Sequence, residues 1–286
     1  MIVDNDHAFD PDGLVALAHQ LLAEPTEVRA ITCTSIPSGI PGEETRVGRA
    51  QALADELADR LGPEIRPPTL PDTVQTLGEL TGMPPSAGAI VAEALRDDDR
   101  PLFVTCGGPL TNVAAALTAE PRIADRMTVV WIGGNARPAG GWEYNLTVDL
   151  PAAQYVFNES RVPLWQFPQP VYRQCLYSVA EMEWDLTSIG PFGEWLYQQF
   201  TSPPDFVQIG GTWPMGDSPL VLATALGSES STYRTIPSPR IEDDLTYGPH
   251  PQPREHRMYE SVDFRLIIGD FLARLRLAER ACRSAR

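Results

Sequence analysis

Over its first two-thirds the chain alternates short apolar runs with amphipathic helical patterns, and few architectures accept that order. Residues 2–3, 28–34, 102–105, 127–132 and 162–167 read as strands. Between them, apolar residues recur at helical spacing through 14–22, 44–61, 87–95, 110–117 and 151–157, the last with Asp149 near its cap. The longest of these carries Val47, Ala50, Leu53, Ala54, Leu57 and Leu61 on one face. The expected fold class is α/β, a mainly parallel sheet flanked by helices on both faces.

The remainder is more helical, with patterns at 179–184, 192–200, 218–226 and 262–282. Residues 233–260 read as a loop and strand excursion before the C-terminal helix. The whole of 1–286 is expected to form one domain, since 286 residues with 43% hydrophobic content suffice for a sizeable core. Cys33, Cys106, Cys175 and Cys282 lie far apart without metal-ligand spacing, so reduced, mostly buried thiols are expected.

All 22 basic residues are arginine. Without lysine there is no Schiff base, no pyridoxal phosphate anchor and no phosphate-loop lysine. The net charge of −16 repels nucleic acid and anionic membranes, while it tolerates neutral small molecules and attracts cations. No apolar run reaches membrane-spanning length, and no leader pattern precedes the first strand; a cytoplasmic location is expected.

The segment from Val3 to Gly13 is the most informative. Asp4, Asp6, Asp10 and Asp12 fall within nine residues, between the first strand and the first helix. In a parallel sheet such loops form the ligand crevice, and crowded carboxylates there call for a cation. Hard oxygen donors suit calcium or magnesium. A solvated loop whose aspartates cap the helix is the plainer alternative.

Three later segments join it: Gly107-Gly108-Pro109-Leu110-Thr111-Asn112, then Glu143-Tyr144-Asn145 with Asp149-Leu150-Pro151-Ala152-Ala153, then Gly216-Asp217-Ser218-Pro219. In this order, over residues 2 to about 226, the series resembles the inosine-uridine-preferring nucleoside hydrolase family. The resemblance implies hydrolysis of a ribosyl N-glycosidic bond with bound calcium (Ca2+), and a nucleoside or other ribosyl small molecule as partner. It implies that Asp6 binds calcium and deprotonates the attacking water. It also implies calcium ligands at Asp12, Asp217 and the Gly107 carbonyl, and sugar contacts from Asp10, Asp217, Glu143 and Asn145. A homodimer or tetramer is a further implication. Cleavage builds positive charge on the ribose, which an anionic pocket stabilises.

Two departures stand out. The family's adjacent acidic pair is split here as Asp10-Pro11-Asp12. Either Asp10 and Asp12 supply sugar contact and metal ligand, or Asp12-Gly13 is the pair and Asp10 compensates; the first keeps the spacing from Asp4 and Asp6. The family histidine before the late aspartate, a candidate leaving-group acid in members that have it, is Gly216 here, so this chain cannot use it. Trp213 is taken as the base-stacking residue, with Trp142 as the alternative and packing as the plainer reading of either. Trp131 is expected to pack, Arg137 to meet a polar substituent or solvent, and His7 to cap or face solvent. Other readings are hydrolysis of another N-ribosyl metabolite, or a metal- and ribose-binding relative without turnover. A phosphatase with a similar acidic loop would want the lysine this chain lacks.

Overall fold

The first strand, β1 (Ile2–Asn5), lies between β2 (Ala30–Cys33) and β3 (Leu102–Cys106) and pairs parallel with both. The structure is a computed structural model that describes residues 1–8, 11–34, 48–201 and 210–284. β4 (Met127–Ile132) and β5 (Leu164–Phe167) extend the parallel order. These strands are buried on both faces, which is why they read as continuous apolar runs. Ile2 joins one core with Ile90, Val113 and Leu117, whereas Val3 joins the opposite core with Leu14, Leu57 and Phe271.

Helices α1 (Asp12–Leu22), α2 (Arg49–Leu61), α3 (Pro85–Ala94) and α4 (Thr111–Ala119) fill the first crossovers. Short helices α5 (Tyr144–Val148), α6 (Leu150–Gln154) and α7 (Gln169–Tyr172) follow β4 and β5. Asp149 caps α6 by accepting from Ala152 N–H, as the sequence suggested. A hairpin of β6 (Leu176–Ser178) and β7 (Thr212–Pro214) brackets α8 (Val179–Thr187) and α9 (Pro191–Phe200).

The expected helix at 218–226 is shorter: α10 (Pro219–Val221) opens into a wider turn over Leu222–Leu226. Of the helix expected at 44–61, Arg49–Leu61 is helical and 44–47 lie outside the described residues. The stretch 233–260 does more than join helices. Its strands β8 (Ser231–Pro237), β9 (Arg240–Ile241), β10 (Tyr247–Gly248) and β11 (Glu255–Val262) precede α11 (Phe264–Ser284). β11 pairs parallel with β5, and β8 closes that edge antiparallel.

The sheet order is β2-β1-β3-β4-β5-β11-β8. The chain leaves β1 toward β2, then returns to β3 on the other side. That reversal opens a crevice at the carboxyl ends of β1 and β3, where open α/β sheets bind ligands. No helix of the described residues is long and apolar enough to cross a membrane. Cys33, Cys106 and Cys175 are buried free thiols, and Cys282 is exposed.

Candidate active site

Three loops meet at that crevice. The loop after β1 brings Asp6 and Asp12, the turn after β3 brings Gly107, and the segment before α10 brings Asp217. All four line one cleft of about 250 Å³, together with Glu143 and Asn145. A larger groove, about 720 Å³, opens at the other end of the sheet around Met1, Leu102 and Met127. Its arginines are engaged within the protein: Arg100 pairs with Glu27 at 2.6 Å and with Asp98 at 2.7 Å, and Arg126 donates to Ala94 O at 2.6 Å. Carboxyl-end position and donor chemistry both favour the smaller cleft.

Asn5 ties the loops together. Its Nδ2 donates to Asp217 Oδ2 at 2.8 Å, and its Oδ1 accepts Asp6 N–H at 2.8 Å. The Asn5 side chain occupies the space beside two glycines: a Cβ on Gly107 would lie 2.5 Å from Nδ2, and one on Gly13 2.9 Å from it. A side chain at position 13 would therefore have to displace the Asn5 amide. Asp12, in the first turn of α1, reaches across instead, and its Oδ2 accepts Asp217 N–H at 3.0 Å. Asp10 lies outside the described residues.

Behind the loop, Asp4 is a scaffold carboxylate. It is fully buried, accepts from Thr32 and Asn112 at 2.7 Å each, and is pushed up to about 6 by burial against the pull of those bonds. Asn112 also donates to Cys33 O and accepts from Thr73. Asp149 accepts from Thr111 Oγ1 at 2.6 Å and Leu77 N–H at 2.8 Å. Asp4, Asn112 and Asp149 thus hold the frame rather than face the cleft.

Glu143 lines the cleft with its acceptors engaged. Oε2 accepts from Gly134 N–H at 2.7 Å and Leu146 N–H at 3.0 Å; Oε1 accepts from Asn145 N–H at 3.3 Å and the Tyr172 hydroxyl at 2.7 Å. Burial raises its pKa while these bonds oppose the rise. Gly134 offers its N–H from a positive φ of 73°, a conformation natural to glycine. Asn145 donates both amide protons, to Gly107 O at 2.8 Å and Ile132 O at 2.9 Å. Its Oδ1 is what it can present to a ligand.

The base-stacking expectation for Trp213 requires correction. Trp213, on β7, is 4% exposed and packs edge-on against Phe200 at 5.3 Å, inside the core. Trp142 is the tryptophan that lines the cleft, 57% exposed. Trp131 packs as expected, buried against Phe157 with Nε1 donating to Gly108 O at 3.0 Å. Arg137 donates to Pro237 O at 2.9 Å and does not line the cleft. His7 neither caps nor faces solvent; it is 1% exposed, and burial pushes it down to about 4. Sequence reasoning passed over Tyr172, Arg173 and Gln169, which line the cleft just after β5. Their only signal was position, at the carboxyl end of a parallel strand.

In donor type, though not in the placement of its side chains, the set suits a hard cation. Asp6, Asp12 and Asp217 are 8%, 5% and 6% exposed, and a main-chain carbonyl joins them without any soft ligand. The Gly107 oxygen retains a second lone pair beyond its bond from Asn145. Among the described residues, no group of three or more His, Cys, Asp or Glu side chains is placed to hold a metal ion.

The family model described as inosine-uridine preferring nucleoside hydrolase matches residues 1–248. The pyrimidine-specific ribonucleoside hydrolase RihA of Escherichia coli O1:K1 is 34% identical over 83 residues, 28% of this chain and 26% of that protein. RihA of Salmonella schwarzengrund is 30% identical over 102 residues, 34% of this chain and 32% of that protein. The chain thus aligns with about a quarter to a third of the length of these curated relatives. The inosine-uridine preferring nucleoside hydrolase from Bacillus anthracis superposes with a TM-score of 0.72 at 14% identity, covering 96% of this chain and 98% of that one. The purine-preferring ribonucleoside hydrolase from Gardnerella vaginalis gives 0.73 at 20% identity, covering 98% and 100%. At these identities the superpositions establish the fold.

Proposed function

Because the chain belongs to the inosine-uridine preferring nucleoside hydrolase family, we propose that it hydrolyses the N-glycosidic bond of a ribonucleoside or close analogue, giving base and ribose. The observation that carries this reading is the convergence of Asp6, Asp12, Asp217 and the Gly107 carbonyl on one cleft at the sheet's reversal point. These four would hold calcium, which when bound supplies Lewis acidity and anchors sugar hydroxyls.

In this reading Asp6 accepts the proton of the attacking water. Asn5 fixes Asp6 through its backbone N–H, so that the carboxylate stays aimed into the cleft. Asn145 Oδ1 accepts from one sugar hydroxyl. A second hydroxyl exchanges with the Tyr172 phenol at Glu143 Oε1, since that oxygen is already occupied. Asp10 and Asp217 complete the sugar contacts. The carboxylates around the ribose stabilise the positive charge that grows as the C1′–N bond stretches.

The test is Asp6→Asn against wild type across a panel of ribonucleosides with calcium. The reading expects ribose release from at least one of them, falling by about 10²–10⁴-fold in the variant. Equal turnover by both proteins would reject the assigned base, and silence across the panel would reject the activity.

A further inference from the structure

All four histidines of the chain fall among the described residues, and none lines the cleft. His7 is buried in the acidic loop, His19 pairs with Asp270 at 2.7 Å, His250 meets Asn158 O at 3.1 Å, and His256 is buried beside Phe157. There is no lysine. Neither a histidine nor a lysine therefore stands in this wall to protonate a departing ring nitrogen.

Among the described residues of the wall, Tyr172 and Arg173 do not replace them. The Tyr172 phenol is committed to Glu143 and held far above its ordinary pKa by burial, with that carboxylate adding to the effect. The guanidinium of Arg173 is a donor suited to pairing with anions. Gly216 contributes no side chain to the wall, and a Cβ there would lie 3.1 Å from the Tyr172 ring and 3.4 Å from Asp12 Oδ2.

Two recognition groups stand at the cleft. Trp142 presents an indole that is 57% exposed. Arg173 is exposed and makes no ion pair among the described residues, while four carboxylates line the same cleft. An acidic cleft with an aromatic face favours a cationic ring, and an unpaired guanidinium favours a carboxylate at its edge.

We propose that the preferred substrate is an N-ribosyl heteroaromatic cation bearing a carboxylate, in its simplest form an N-ribosylpyridinium carboxylate. Its ring lies against Trp142 and its carboxylate meets Arg173. The inference rests on the hydrolase reading of the cleft and narrows it to a substrate class. The water oxygen bonds to C1′ as the C1′–N bond breaks. The bonding pair moves to the ring nitrogen and neutralises it, and the water's proton passes to Asp6 and on to solvent. No proton has to reach the aglycone, which suits a cleft lined, among the described residues, by neither histidine nor lysine.

The experiment compares kcat/KM, with calcium present, for N-ribosylpyridinium-3-carboxylate, its 3-carboxamide, inosine and uridine. Wild type and Arg173→Gln are assayed side by side. The carboxylate should be the best of the four, about tenfold above the carboxamide, and this ratio should collapse in Arg173→Gln mainly through KM. Faster cleavage of inosine or uridine than of either pyridinium would overturn the inference while leaving the hydrolase reading intact. So would an Arg173→Gln effect equal on carboxylate and carboxamide. No cleavage of any of the four would overturn both.

Discussion

Asn5 Nδ2 donates to Asp217 Oδ2 at 2.8 Å, joining two site loops that lie 212 residues apart in the chain. The same side chain fills the space beside Gly107 and Gly13, so one amide sets both the position of Asp217 and the need for two glycines. Asn5→Ala leaves a buried carboxylate oxygen without this donor, at a cost of about 1–3 kcal/mol. Gly107→Ala drives a methyl into the Asn5 amide, an overpacking cost of about 1–3 kcal/mol. Truncating Asn5 removes that obstacle, so the double variant should lose less than the two single losses together. Urea midpoints of the four proteins measure the coupling. Strictly additive losses would show that the contact does not hold the loops.

The two tryptophans separate fold from recognition. Trp213 packs in the core against Phe200, and Trp213→Ala should lower stability by about 3–5 kcal/mol. Trp142 stands exposed on the cleft, and Trp142→Ala should move stability by no more than about 0.5 kcal/mol. Its effect should fall on KM, raised about three- to tenfold by loss of ring stacking. Thermal melts and steady-state kinetics on both variants check this. A Trp142 variant with unchanged KM would remove the residue from substrate recognition.

The alternation of apolar runs and helical patterns sufficed for the parallel sheet because its strands are buried on both faces and read as unbroken apolar segments. β11 was harder to see: His256, Arg257 and Glu260 interrupt its pattern, although Met258 and Tyr259 are buried. The motifs marked the loops of the cleft but not the division of labour within them. Asp4, Asn112 and Asp149 look as functional as Asp6 in sequence, and only their hydrogen bonds identify them as scaffold. Arg173 and Tyr172 carried no motif, since a cleft wall depends on where β5 ends and not on residue spacing. Trp213 and Trp142 differ only in which way each faces, and sequence carries no such direction for isolated loop aromatics.

Calcium should stabilise the folded chain if the cleft binds it. Ligand linkage gives about 2.7 kcal/mol at a hundredfold excess over Kd. A chelator-treated sample should therefore melt at a lower temperature than one with calcium restored. Asp217→Asn removes one charged donor and should need more calcium for the same shift. The carboxamide can still accept from Asn5, so loop geometry is less disturbed than by truncation. A calcium-dependent melting shift of equal size and midpoint in wild type and Asp217→Asn would place the ion elsewhere.

His256 gives the fold a defined acid sensitivity. It is fully buried on β11 against Phe157, and burial, then the nearby Arg254 and Arg137, push it down to about 3. A base whose folded pKa lies below its unfolded value of 6.5 takes up protons more readily when unfolded. Stability from this group is therefore complete above about pH 7 and is lost as pH falls through 6.5 toward 3. Between pH 7 and pH 5 the loss is about 2 kcal/mol. His256→Leu should remove that share of the slope, whatever its effect on absolute stability, while the buried His7 keeps its own. Urea unfolding of both proteins at pH 7 and pH 5 isolates the difference. If the two free energies fall by the same amount on acidification, His256 is not the group responsible.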